Sequence, residues 1–126
     1  MSEKEYQIQQ MEALEELYQY NQKLIPAVES MIAELREGRR EDTKELLSII
    51  INGINWTIQV LNHTMDIIND NGESLDKERM NASIQELGSG LQAQDDLKIA
   101  DNLEKGIIPL LQTIEAKVSV KINAAN

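Results

Sequence analysis

His63 is the only histidine in the chain, and a lone histidine on a helical protein raises the chemistry of phosphoryl transfer. That chemistry needs an exposed imidazole in mid-helix, with a basic or small residue one turn away to accommodate the phosphoryl group. Here Asp66 and Ile67 lie one turn on. A phosphoryl group brings about −1.5 to −2 charges, which Asp66 would repel. His63 also shares a stripe with Ile49 and Trp56 at a seven-residue spacing. The spacing predicts a half-buried imidazole beside Trp56, with histidine phosphotransfer through His63 as an alternative.

The carboxylates invite two metal readings. A di-iron site in a helical bundle requires Glu-x-x-His pairs, but Val60 stands three residues before His63 and there is no second histidine. An EF-hand loop fits in part. Asn69, Asn71, Gly72 and Glu78 fall at its third, fifth, sixth and twelfth positions, but Ile67 holds the first, and an aliphatic side chain cannot ligate a hard cation. No metal and no cofactor are expected. Cysteine is absent, so thiol nucleophiles and disulfides are excluded. No base is placed beside a serine or threonine, and no Gly-rich phosphate loop occurs. The residues supply no catalytic constellation, and the expectation is a protein that is not an enzyme.

Charge narrows the partners. The chain has 126 residues and a formal net charge of −10. Residues 1–38 contain eight acids and three bases, so the first helix carries half the excess charge. Such a field repels nucleic acid and anionic lipid. The basic cluster of Arg36, Arg39 and Arg40 is surrounded by Glu37, Glu41 and Asp42, and reads as a solvated turn. With no Phe, one Trp and three Tyr, base-stacking platforms are lacking. No small-molecule substrate is evident. The polar first residues carry no signal pattern, and no apolar run approaches the roughly 20 residues of a membrane span. A cytoplasmic protein is expected.

The elements that must carry these residues follow a helical period. Met11, Leu14, Tyr18, Asn21, Ile25, Val28, Ile32 and Leu35 alternate at three and four, with Leu17, Leu24 and Met31 widening the stripe. Asn21 is the one polar residue on this seam; it either fixes register or sits at a wet end. Gly38 should end the helix. Asp42-Thr43-Lys44-Glu45 reads as a capping box for a second helix with the seam Leu47, Ile50, Ile54, Thr57, Leu61, Thr64 and Ile68. Its apolar arc is so wide that it should be the most buried element. Asn69-Asp70-Asn71-Gly72 is a turn signal, and Asp76 reads as the third helix's cap, with Leu75 and Met80 as a hydrophobic staple. Met80, Ile84, Leu87 and Leu91 follow. Ala93-Gln94-Asp95-Asp96 should break the chain before a last seam of Ala100, Leu103, Ile107, Leu110 and Ile114, widened by Leu111 and Val118. The fold class is all-α: an antiparallel up-down-up-down four-helix bundle, a single domain over 1–126, with helices near 3–36, 42–70, 76–92 and 96–122. Pro26 and Pro109 should kink the first and fourth helices.

A four-helix monomer would leave Ile49, Trp56 and His63 partly exposed, and partly exposed aromatics beside aliphatics anchor interfaces. These three residues are the candidate partner-binding stripe, unless the fourth helix or the N-terminal segment covers Trp56.

Two stretches carry a resemblance: Ile51-Asn52-Gly53-Ile54-Asn55-Trp56 with Thr64 eight residues on, and Ala93-Gln94-Asp95-Asp96 followed by Ala100-Asp101-Asn102-Leu103-Glu104 and Pro109. Together they resemble an uncharacterised family of small acidic helical proteins from Gram-positive bacteria, for which the resemblance implies no activity. Size, acidity and helicity are also similar to flagellar export chaperones. The leading expectation is a helical interaction protein that binds a protein partner or a second copy of itself; a chaperone or regulator laying a partner helix into a groove is the runner-up. Circular dichroism should show a mostly helical chain that melts cooperatively and is indifferent to chelators. A large strand signal, or unfolding by a chelator, would defeat the fold assignment.

Overall fold

The computed structural model describes residues 2–68 and 77–125. The expected turn at Asn69–Gly72, the Asp76 cap and the Leu75 half of the staple lie outside them, as does most of the calcium loop. The described residues are all-helical, without a strand. In chain order they form α1 (Glu3–Glu37), α2 (Thr43–His63), the single turn α3 (Met65–Ile68), α4 (Lys77–Ala93), α5 (Asp96–Asn102), a π-helical turn (Leu103–Ile107) and α6 (Ile108–Ala125).

The ends of α1 follow from local chemistry. The Ser2 hydroxyl accepts the Glu5 N–H at 3.2 Å and supplies one of the partners that a helix start lacks. At the other end Gly38 has φ 121°, a conformation that side-chain-bearing residues rarely adopt, and its N–H still reaches the Glu34 carbonyl. Pro26 lies within this helix, which is assigned without interruption.

The start of α2 departs from the expected capping box. Asp42 makes no side-chain cap bond. Thr43 instead ties the preceding turn to α1: its hydroxyl accepts the Arg40 N–H at 2.7 Å and donates to the Glu34 carboxylate at 2.8 Å. The second helix also ends earlier than the expected residue 70. The buried Thr64 hydroxyl bonds back to the carbonyls of Val60 and Leu61, a local competition that disturbs helices. The break there separates α2 from α3.

Between α4 and α5 the chain turns within two residues. Gln94 takes a left-handed backbone (φ 53°). The Gln94 N–H bonds to Leu91 and the Asp95 N–H to Gly90, the pairing of a Schellman C-cap. Asp95 then caps α5 by accepting the Lys98 N–H. The π turn places the Ile108 N–H on the Leu103 carbonyl, directly before Pro109, which has no N–H to give Lys105. Through this turn the buried register runs Ile99, Leu103, Ile107, Leu111, Ile114 and Val118. Leu111 therefore takes the core place expected of Leu110, which is half-buried.

The packing is organised around α1, which lies against α2, α5, the π turn and α6, while α4 packs on α5 and the π turn. This corrects the expectation that the second helix is the most buried. Its apolar arc is wide, but among the described residues its close backbone neighbours are α1 and the short α3, and nothing comparable joins it to α4. Contacts at Glu34–Thr43, Asn21–Thr57 and Gln10–His63 show that α1 and α2 run in opposite directions.

The core divides in two. One cluster gathers Leu24, Val28, Met31, Leu47, Ile54, Leu87, Leu103 and Ile107 among others; the second gathers Leu14, Leu17, Leu61, Ile68, Met80, Ile114 and Val118. Asn21 and Thr57 stand in sequence between the residues that α1 and α2 give to each cluster. Both side chains are fully buried, so Asn21 is not at a wet end. The Thr57 hydroxyl donates to Asn21 Oδ1 at 3.4 Å, and Asn21 Nδ2 has no partner. A buried amide with an unmet donor costs stability. Thr57→Val alone should therefore destabilise by about 1–3 kcal/mol, because it strands the Asn21 carbonyl as well. The double change Asn21→Leu with Thr57→Val should be neutral or stabilising. Urea melts of the two variants read this directly, and a double variant weaker than the single one would refute it.

Candidate functional site

The stripe expected to bind a partner is brought to the outer side of α2. Ile49 is 61% exposed and Leu46, one turn before it, 40%. Trp56 is half-buried and His63 is exposed. The imidazole is thus not the half-buried group expected beside Trp56: α2 ends at His63, so its side chain leaves from the last turn. Its backbone carbonyl is tied down, since Gln10 of α1 donates through Nε2 to it at 3.1 Å and to Asp66 Oδ1 at 3.0 Å.

Trp56 owes its partial cover to α1. The Tyr20 ring stands edge-on to the indole, with centroids 5.1 Å apart and planes at 62°, a favourable aromatic geometry. Gly53 makes that position possible, because a methyl group there would collide with the Tyr20 hydroxyl. The pair Gly53 and Trp56, one turn apart, is the seat of Tyr20.

Beyond its first turn, which carries Lys44 and Glu45, the outer face of α2 is charge-free. No Asp, Glu, Lys or Arg occurs from Leu46 through Met65. Ser48, Asn52, Asn55, Gln59, Asn62 and His63 are its exposed polar groups. In a chain of net charge −10, an uncharged face lets a second acidic molecule approach with little local repulsion, and depletion of charge marks the centres of interfaces.

Of the three arginines expected in a solvated turn, Arg40 is solvated and among the described residues reaches only Glu37, at 4.0 Å, whereas Arg36 and Arg39 are engaged. Arg36 binds Asp101 at 2.9 Å and also Glu104. Arg39 chelates both carboxylate oxygens of Asp96 at 2.8–3.0 Å. These contacts fasten the end of α1 and the residues after it to α5 and the π turn, and they neutralise two of the three guanidinium groups. Arg39's hydrogen bonds hold the Asp96 carboxyl below its ordinary pKa and raise that of the Arg39 guanidinium. Asn102 adds a further tie, donating from Nδ2 to the Ser83 carbonyl and Glu86. Gln10, Thr43 and Asn102 went unrecognised in the sequence; each acts across 9 to 56 residues of chain, and no local pattern marks such pairs.

Beside the Arg39–Asp96 pair lies a cleft of about 470 Å³ between α2 and the α4–α5 turn. Leu47, Ile51, Leu91 and Ile99 form its apolar lining, and Lys44, Ser48, Gln94, Arg39 and Asp96 its polar part. Gln94 lines it from its left-handed backbone position, which costs a non-glycine residue about 1 kcal/mol or more. Among the described residues, no group of three or more His, Asp or Glu side chains is placed to hold a metal ion, and no helix is long and apolar enough to cross a membrane.

A family model, the domain of unknown function DUF8042, matches residues 12–117, so the chain belongs to that family. No curated protein and no solved structure matches it.

The Asp96 ion pair gives a pH signature. A carboxylate whose pKa is depressed by folding adds stability above its unfolded pKa, about 3.9, and loses it as pH falls through the folded value. Asp96→Asn should therefore cost less than about 1 kcal/mol at neutral pH, since the pair is partly solvated. The difference from wild type should begin to shrink as pH falls below about 4, disappear once pH has passed the depressed folded value, and be smaller in high salt. Thermal melts across pH test this; a difference that persists unchanged at pH 2 would assign the effect to packing.

Proposed function

We propose that this member of the family is a non-enzymatic helical interaction module, which binds a protein partner or a second copy of itself through the outer face of α2. The observation that carries the reading is the exposure of Ile49 and Leu46 on a helix face that carries no charge from Leu46 onward. The architecture proposed for it is the antiparallel up-down-up-down four-helix bundle, one domain, in which α5, the π turn and α6 act as the fourth helix and Pro26 and Pro109 bend the first and fourth. A cytoplasmic location and a Gram-positive bacterial source belong to the same proposal. Trp56 serves as a half-covered anchor, backed by Tyr20, and Ile49 as its exposed neighbour one heptad earlier.

A second reading, a chaperone-like protein that takes a partner helix, draws on the α2–α4 side. The two helices lack close backbone approach there. Ile51 and Ile58 on α2, Met65 at the start of α3, and Ile84 and Leu91 on α4 are half-buried at heptad spacing. Phosphotransfer through His63 ranks third, because Asp66 would oppose the added charge.

Self-association should strengthen as salt screens the net charge. Sedimentation of wild type and Ile49→Asp at low and moderate salt tests it. The expected result is a salt-promoted dimer in wild type, weakened at least tenfold in the variant, because a carboxylate would replace a buried aliphatic group at the contact. A monomer at every salt concentration, with no captured protein whose binding Ile49→Asp abolishes, would overturn the reading. Acid-labile phosphate that disappears in His63→Gln would put phosphotransfer first.

A further inference from the structure

We infer that the cleft between α2 and the α4–α5 turn is a binding site for an aliphatic monocarboxylate. Its volume of about 470 Å³ falls within the roughly 300–1,000 Å³ of small-ligand sites. Leu47, Ile51, Leu91 and Ile99 offer an aliphatic group an apolar surface.

The charge of the ligand follows from what is already paired. Both oxygens of Asp96 are taken by Arg39, so these two polar members of the lining cancel. Lys44 makes no ion pair among the described residues, and its ammonium is the charge left over. Ser48 and Gln94 add neutral hydrogen-bonding groups to the same cleft. One cation with neutral donors suits one carboxylate. A phosphate dianion would meet twice the repulsion from a chain of net charge −10.

Gln94 is the second, independent observation. Its left-handed position ends α4 in a Schellman turn, where glycine is the ordinary occupant and carries no steric cost. Glycine would hold the same turn but would present nothing to the cleft. An amide side chain at this position fits a ligand that it helps to bind, in line with backbone strain occurring at binding sites.

The inference does not rest on the outer face of α2, because Ile49 does not line the cleft, and sedimentation of Ile49→Asp reads the other surface separately. The test is an NMR titration of the ¹⁵N-labelled full chain with hexanoate. In parallel the chain is titrated with a tetrapeptide ending in leucine, as its free acid and as its amide, and with hexanol. Hexanoate should shift the amides of 44–51 and 91–99 in saturable fashion. Lys44→Gln should weaken its binding by about tenfold, the value of one charge-assisted hydrogen bond. Gln94→Gly should weaken it too while raising the melting temperature, so that unfolding cannot account for the loss. If the peptide acid binds and its amide does not, the carboxylate is that of a chain terminus; if hexanoate alone binds, it is that of a free acid, and either result supports the site. Absence of saturable shifts with both acids, or equal binding by hexanol or the peptide amide, would overturn it.

Discussion

The long helix α1 is the constraint on which the remaining structure depends. Its 35 residues span about 52 Å at the standard rise, and its buried stripe runs from Leu14 to Leu35. Every large apolar surface elsewhere has to meet that stripe or a neighbour already resting on it. α2 covers one side, and α5, the π turn and α6 the other. The other segments lean on those: α4 on α5 and the π turn, α3 on α6 and α2. Because α1 runs against α2 without interruption, a shift in its phase would move both core clusters together, and the tolerance for change on this face is correspondingly small.

Periodicity revealed much of this. The stripes at Leu14–Leu35, at Leu47–Leu61 and at Leu103–Val118 could be read from spacing alone, as could Gly38 and the break at Ala93–Asp96, because those signals are local. Periodicity measures the width of an apolar arc and not the number of helices that will cover it. The second helix therefore looked like the centre of the fold, although that place belongs to α1. The tie that Thr43 makes before the second helix depends on Glu34, a residue of another helix. The exchange of Leu110 for Leu111 follows from the π turn, which inserts a residue into the register. Of the candidate surfaces, Ile49 was legible as an exposed aliphatic. The cleft was not, since its lining comes from α2, α4, α5 and the connections beside them, and only tertiary packing brings these together.

The distribution of charge separates two kinds of surface. Carboxylates crowd the outward side of α1, where Glu12, Glu15, Glu16 and Glu29 are exposed; others are used as fasteners by Arg36 and Arg39. α2 keeps none from Leu46 onward. A helix exposed to water without charged residues gains no help from salt-bridge pairs along its length, and its stability must come from packing on α1. The two properties are linked: the apolar width that holds α2 in place also leaves it with more apolar surface than α1 can cover.

The buried pair Asn21 and Thr57 bears on how the chain finds its alignment. Two amphipathic helices with heptad stripes can dock in several shifted registers that bury nearly the same area. Sliding α2 along α1 by one turn would set Asn21 against Ile54 or Leu61, and Thr57 against the leucines at 17 or 24. Each amide or hydroxyl so misplaced would lose its partner in an apolar setting, at about 1–3 kcal/mol. The correct hairpin is thus separated in energy from its near copies before the later helices arrive. The stability forgone at the centre of the core is returned as a smoother search, with fewer long-lived misaligned intermediates on the route to the native state.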